Sequence, residues 1–224
     1  KERKFSFIAS NPQVNLLLKL IVIYVLSFSL FFSLTKNISF IESFRVIGFN
    51  FVSAITSTGF TSSNYITWGV WAPIIIAILT LHGGCTGSTS GSIKIFRWQV
   101  VFAFLKKHTT NALSPNQATV IKTGDKVISN DIVASVFVLV ISFLLAICFF
   151  MVILCLCGVD LVTSLGAVLG AITSFGPGLT EATGPAGSYA GFSPFIKYVL
   201  AFVMVLGRLE VVTVITLLTK IRFR

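Results

Sequence analysis

Long apolar runs alternate along the chain with shorter, mixed ones, and the order of the two repeats. Residues 12 to 34 are apolar for long enough to cross a hydrocarbon core of about 30 Å at about 1.5 Å per residue, with Lys19 near the start of the run and Lys36 just beyond it. Residues 41 to 56 are interrupted by Glu42, Arg45 and Asn50, so the pattern there predicts an amphipathic half-membrane helix. It runs into Ser57-Thr58-Gly59-Phe60-Thr61, after which Trp68 and Trp71 are expected to sit as rings at a membrane interface. Residues 70 to 82 and 93 to 105 are each too short to span, but they become long enough when joined through Gly83-Gly84-Cys85-Thr86-Gly87-Ser88-Thr89-Ser90-Gly91-Ser92. The prediction is one helix broken at membrane depth. Unwound backbone is tolerated there only where protein or a water-filled cavity meets its amides and carbonyls, so the break implies a cavity.

Residues 108 to 130 form the one long polar stretch, with Pro115, Asn116, Gly124, Asp125 and Lys126, and read as an exposed link. A second set then follows: a span over 131 to 157, a short mildly amphipathic helix over 160 to 173, the turn Ser174-Phe175-Gly176-Pro177-Gly178-Leu179, and a last span over 193 to 219. The expected organisation is therefore all-α, with a span, short helix and broken span over 1–107, a cytoplasmic linker over 108–130, and a second span, short helix and span over 131–224. The repetition extends to the letters, since Ala54-Ile55-Thr56-Ser57-Thr58-Gly59 matches Ala171-Ile172-Thr173-Ser174-Phe175-Gly176 at five of six positions. Membrane proteins often build a central pathway between such repeats, which directs attention to the two glycine turns.

Composition agrees with an integral membrane protein: the chain is 55% hydrophobic and 11% charged, with a mean hydropathy of +0.95. Its net charge of +10 gathers outside the apolar runs, so the partner for that charge is an anionic membrane face and not nucleic acid. Lys94, Arg97, Lys106, Lys107, Lys122 and Lys126 share one side with both termini, which predicts that side to be cytoplasmic. No trustworthy cleavage site follows the first apolar run, which reads as a retained span. Cys85, Cys148, Cys155 and Cys157 are expected to act as small apolar fillers, and His82 and His108 do not complete a metal set. An enzyme is not expected. Gly91 is not followed by the Lys-Ser/Thr pair of a phosphate-binding loop, and no Ser–His or carboxylate pair recurs at helical spacing.

A half-helix that ends in Thr-x-Gly or Ser-x-Gly leaves carbonyls unpaired at its negative end, where they can replace the water around a cation. Glycine tolerates the positive φ needed to aim consecutive carbonyls at one axis, and Thr56, Ser57, Thr173 and Ser174 can add hydroxyl acceptors. Arg208 falls about 22 Å into the last span when counted at about 1.5 Å per residue, a depth at which an ionisable residue faces a cavity or a partner. It is either a pathway cation or half of an ion pair joining two spans. Glu210 points to a different helix face from Arg208, so its partner should come from another helix or a loop amide. Lys94 is either a second pathway cation or a cytoplasmic anchor.

The glycine-rich segment through Ile93-Lys94, the turns Ser57-Thr58-Gly59-Phe60-Thr61 and Phe175-Gly176-Pro177-Gly178-Leu179, and Gly207-Arg208-Leu209-Glu210 together resemble the Trk/Ktr/HKT superfamily of potassium transporters, in particular its TrkH-type membrane subunits. The resemblance covers essentially the whole chain but corresponds only to the last two of four span–pore helix–span repeats. It implies a potassium-channel-like architecture in a multi-pass inner-membrane protein. Thr58, Gly59 and Phe60, with Ser174, Phe175 and Gly176 leading to Pro177, would form two of four selectivity-filter strands for transported K+, with no cofactor and no other metal. Gly83, Gly84, Gly87, Ser88, Thr89, Gly91 and Lys94 would belong to an intramembrane gate beneath the filter, with Arg208 projecting toward it. Ser90 and Ser92 depart from the commoner Ala and Gly of the family, and the tail lacks a Pro-aromatic ending. Implied partners are lipid, a second copy in a homodimer, a TrkA-like cytoplasmic nucleotide-binding regulatory subunit and the missing N-terminal repeats. Two readings compete with this one. A secondary transporter of another solute would aim helix N-termini at its substrate, and an inactive remnant would follow if two repeats stood alone.

Overall fold

In the computed structural model, residues 11–113, 122–123, 126–213 and 216 are described, with residues 122, 123 and 126 described by their backbone alone. Asn11 and Pro12 start α1 (Pro12–Lys36), the Asn11 side chain accepting from the Gln13 amide and the ring occupying the first turn, where no amide hydrogen is needed. Asn37 ends it in a left-handed conformation, and Ser39 opens α2 (Phe40–Ile55). α2 buries Ser43, Ile47, Asn50, Phe51 and Ala54, spaced three and four residues apart on one face. A 3-10 turn (Tyr65–Trp68) leads to α3 (Trp71–His82), which stops at Gly83, and α4 (Ile95–Leu113) resumes on the other side of the glycine-rich segment. The expected break is therefore present, although α4 continues six residues into the stretch expected to be linker. Of that linker, 114–121 and 124–125 lie outside the described residues. Lys122–Thr123 (β1) pairs antiparallel with Lys126–Val127 (β2).

α5 (Asn130–Leu156) is the second long helix, and Asp160 caps α6 (Leu161–Ile172) by accepting from the amides of Val162 and Thr163. A 3-10 turn (Tyr189–Gly191) precedes α7 (Pro194–Leu209), which starts as α1 does, with a capping side chain and a proline in its first turn. The last span is not continuous. Glu210 adopts φ 66° and ψ 127°, ending α7 before helix resumes at Val211. Residues 214–215 and 217–224 of the expected span lie outside the described residues.

α1 and α5 are long and apolar enough to cross a membrane. Both expose large side chains such as Ile23, Leu34, Leu145 and Phe149 along their length. An apolar exterior of that extent belongs in hydrocarbon or against further protein. Three buried clusters lie behind it among the described residues, the smallest around Val100, Val133 and Val136, and the two larger ones divide between the halves. One gathers Phe32, Ile47, Phe51, Tyr65, Trp68 and Leu79 from the first half; the other gathers Ile147, Leu154, Val168, Ile172, Leu200 and Val203 from the second. Trp68 and Trp71 belong to the first core, where their rings pack on Phe28 and Phe32. The return segment folds back over α1 and brings both rings against it. Cys148 and Cys157 are exposed on or just after α5, so they do not fill a core.

α6 is the most enclosed element, with every residue from Gly166 to Ile172 buried. α7 crosses it so closely that a Cβ on Gly207 would sit 1.9 Å from the Ile172 carbonyl oxygen. Gly207→Ala is therefore expected to lower the thermal stability of the purified protein by about 1–3 kcal/mol through overpacking. Gly191→Ala, where a Cβ meets open space, should leave the unfolding temperature unchanged; equal behaviour of the two variants would contradict this crossing.

Candidate functional site

The two glycine turns have the same backbone path. Thr56 (φ −82°, ψ −3°) and Thr173 (φ −80°, ψ −6°) end their helices in the same conformation. Ser57 (φ 54°) and Ser174 (φ 57°) then turn left-handed, and Gly59 (φ 85°) and Gly176 (φ 96°) do so two residues later. A left-handed residue other than glycine costs about 1–2 kcal/mol, so surrounding contacts must hold both serines there. Among the described residues, no amide or hydroxyl donates to the carbonyl oxygens of 56 to 60 or of 173 to 175. Two successions of free acceptors thus follow the negative ends of α2 and α6.

These turns meet. A Cβ on Gly59 would lie 2.5 Å from the Phe175 carbonyl oxygen, and the Phe175 ring enters the first-half core. Thr58, Gly59 and Phe60 are thereby brought beside Ser174, Phe175 and Gly176, with Phe60 70% exposed on an otherwise unpartnered flank. That flank continues as an apolar groove of ≈ 680 Å³ running past Val25, Phe44, Gly48 and Thr56 to Thr58 and Phe60. The hydroxyls of Thr56 and Thr58 pair at 2.7 Å, whereas the Ser57 hydroxyl is buried with no partner among the described residues.

Different side chains secure the two return segments. Asn50 of α2 donates to the Ser62 hydroxyl at 2.8 Å and accepts from the Ser62 amide at 3.3 Å. In the second half, Tyr189 donates to the Gly176 carbonyl at 2.8 Å, and Tyr65 of the first half donates to the Gly178 carbonyl. Burial pushes the Tyr189 hydroxyl up to about 12, and burial followed by the neighbouring Tyr189 raises that of Tyr65, so both remain proton donors. Asn50 was legible in the sequence only as a polar interruption. Neither tyrosine had a signal, because the Tyr65 contact joins residues 113 apart.

The glycine-rich segment closes on itself. The Ser90 hydroxyl accepts from the Gly84 amide at 3.0 Å and pairs with Ser88 at 2.9 Å, while the Ile95 amide donates to the Gly84 carbonyl at 3.1 Å. The loop is also tied to the start of α1, where Gln13 accepts from the Thr86 amide at 3.1 Å. Gly83, Gly84, Gly91 and Ser92 are buried, whereas Gly87, Ser88 and Thr89 are exposed. Gly91 lies against the end of α6, where a Cβ would be 2.7 Å from the Ser174 hydroxyl and 2.9 Å from the Ile172 carbonyl. The loop therefore abuts the second turn. Of the two serines singled out in the sequence, Ser90 is its internal tie, and Ser92 has a buried hydroxyl with no partner among the described residues.

Glu210 finds its partners on another helix, as its position relative to Arg208 required. It accepts from Arg97 at 2.6 Å and from Lys94 at 3.4 Å, joining the start of α4 to the break after α7. Lys94 is thus half of an ion pair. Arg208 is exposed and has no hydrogen bond or ion pair among the described residues, one position beyond the tight Gly207 crossing.

The family model described as TrkH, cation transport protein, matches residues 2–222. The chain is 34% identical over 214 residues to the Trk system potassium uptake protein TrkI of Halomonas elongata, covering 96% of this chain and 43% of that protein. It is 26% identical to the Trk system potassium uptake protein TrkH of the same organism, over 100% of this chain and 46% of the relative. The crystal structure of the potassium transporter TrkH from Vibrio parahaemolyticus superposes with a TM-score of 0.89 at 26% identity, covering 98% of this chain and 47% of that one. The chain spans just under half the length of these relatives.

Cys85 is half-buried inside the loop and reports on its closure. With Cys148, Cys155 and Cys157 replaced by Ala, Ser90→Ala is expected to speed alkylation of Cys85 by about 3- to 10-fold, the scale of one or two lost hydrogen bonds. An unchanged alkylation rate would mean that Ser90 does not hold the loop.

Proposed function

The chain belongs to the TrkH family of cation transport proteins, and from that membership we propose that it forms part of a potassium uptake pathway in a multi-pass protein of the inner cell membrane. The observation that carries this reading is the pair of turns with matched dihedrals and free carbonyls, abutting at the ends of two half-helices. Their free carbonyl oxygens take the place of water around K+, from Thr58, Gly59 and Phe60 on one side and from Ser174 and Phe175 on the other, with Gly176 shaping the second filter strand through its left-handed turn. Helix C-termini directed at the site favour a cation over an anionic solute. Each turn supplies one quarter of a four-sided filter, so the pathway needs two further span–pore helix–span repeats, and the apolar groove beside Thr58 and Phe60 is where one of them seats.

The glycine-rich loop is the gate in this reading. Its Gly91 rests against the base of the second turn, its Ser90 tie keeps it compact, and Lys94 is held through Glu210 to the last helix. Arg208 adds a positive charge on the same side, because Gly207 and Gly91 both lie against Ile172. A homodimer with a TrkA-like regulatory subunit on the basic cytoplasmic face completes the assembly, a proposal supported by the Trk system names of the relatives and by the net charge of +10.

The test uses the full-length protein in proteoliposomes, with rubidium as the tracer. Gly59→Ser and Gly176→Ser are each expected to reduce rubidium-over-sodium discrimination by about 10-fold, since each places a side chain at a left-handed position worth about 1–3 kcal/mol of strain. Arg208→Ala should raise the flux. Unchanged selectivity in both glycine variants would sink the filter reading, and a lower flux in Arg208→Ala at normal protein abundance would remove Arg208 from the gate.

A further inference from the structure

The second turn contains a peptide unit that cannot be held in the ordinary way. Pro177 has no amide hydrogen, so the bond between Gly176 and Pro177 offers only the Gly176 carbonyl as a hydrogen-bonding handle. Tyr189 takes that handle at 2.8 Å. On the other side of Pro177, the Gly178 amide donates to the Thr183 carbonyl at 2.7 Å and the Gly178 carbonyl accepts from Tyr65. The Gly176 amide is occupied as well, donating to the Gly170 carbonyl at 2.9 Å. Both carbonyls that flank Pro177 are thus turned toward phenol hydroxyls, while those of 173 to 175 have no donor among the described residues.

We propose that Tyr65 and Tyr189 are positioning residues for ion selection: they fix the outward-turned carbonyls of Gly178 and Gly176 and so hold those of Ser174 and Phe175 toward the ion. The proposal rests on the filter reading given above. Tyr65 adds a second consequence. It is fully buried in the first-half core, on the return segment that follows the first turn, yet its hydroxyl reaches the second turn. The spacing between the turns is therefore set by a hydrogen bond as well as by the contact of Gly59 with Phe175. A carbonyl released from its phenol gains freedom to rotate, which changes the number and placement of the oxygens that meet the ion, and both bear on selection.

The test is rubidium and sodium uptake by the full-length protein in proteoliposomes, comparing wild type, Tyr65→Phe, Tyr189→Phe and the exposed control Tyr198→Phe. Each Phe variant at 65 or 189 is expected to lose about 3- to 10-fold in the rubidium-to-sodium ratio, the equivalent of one buried hydrogen bond, with the control unchanged. A ratio within about twofold of wild type in both variants would overturn the proposal. Should either variant fail to fold, 3,5-difluorotyrosine at 189 keeps the ring and its hydroxyl while lowering the pKa of that hydroxyl. Selectivity should then fall as pH rises and the phenolate ceases to donate, and a pH-independent ratio would equally refute the role. If wild type itself shows no preference for rubidium, the filter reading fails first, and that outcome is distinct from unchanged ratios in a selective protein.

Discussion

A helix ends in carbonyls that no amide of its own can reach, and the turns after α2 and α6 are built around that constraint. In water such groups would be hydrated, but at membrane depth each needs a protein donor, a cavity or an ion. Here Ser57 and Ser174 turn the chain left-handed immediately after the helix ends, and among the described residues the next carbonyls accept from neither helix. The backbone that returns beyond them is tied at Ser62 by Asn50 in one half and at Gly176 and Gly178 by two tyrosines in the other. Free acceptors and fixed surroundings thus occur side by side, which is the arrangement a cation site requires and an ordinary loop lacks.

The same constraint governs the glycine-rich break between α3 and α4. Its Gly84 amide and Ser88 hydroxyl are met internally by Ser90, and Gly91 lets it approach the end of α6 without a side chain between them. Glu210 supplies the counterpart on the far side by breaking α7 in a left-handed conformation and drawing Arg97 and Lys94 together. The cluster is partly buried, so it ties the start of α4 to the end of α7 at a smaller desolvation cost than a fully buried pair would carry. Loop, last helix and second turn therefore share contacts at Ile172, so a displacement of one is felt by the others.

Much of this was readable from residue patterns. Apolar run lengths placed α1 and α5, the polar interruptions marked α2 as too short to span, and five identities in six between 54–59 and 171–176 anticipated turns with matching dihedrals. Small polar residues between two short apolar runs likewise announced the break at 83–94. What escaped were features decided by the folded backbone. Glu210 interrupts a run that reads as continuous helix. The tyrosine hydroxyls meet their carbonyls across the boundary of the two halves, where periodicity and spacing hold no information. Ser90 was visible as an unusual residue, but its role as a tie depends on Gly84 being folded back against it.

Coordination of a permeating cation by the carbonyls of the two turns, as proposed above, is open to direct observation. Anomalous diffraction from crystals of the full-length protein soaked in thallium tests it most directly, because thallium mimics potassium in size and scatters strongly. An anomalous peak is expected within coordination distance of the Thr58, Gly59, Ser174 and Phe175 oxygens, on the axis shared by the two turns. Thallium bound in the protein but absent from that axis would contradict it.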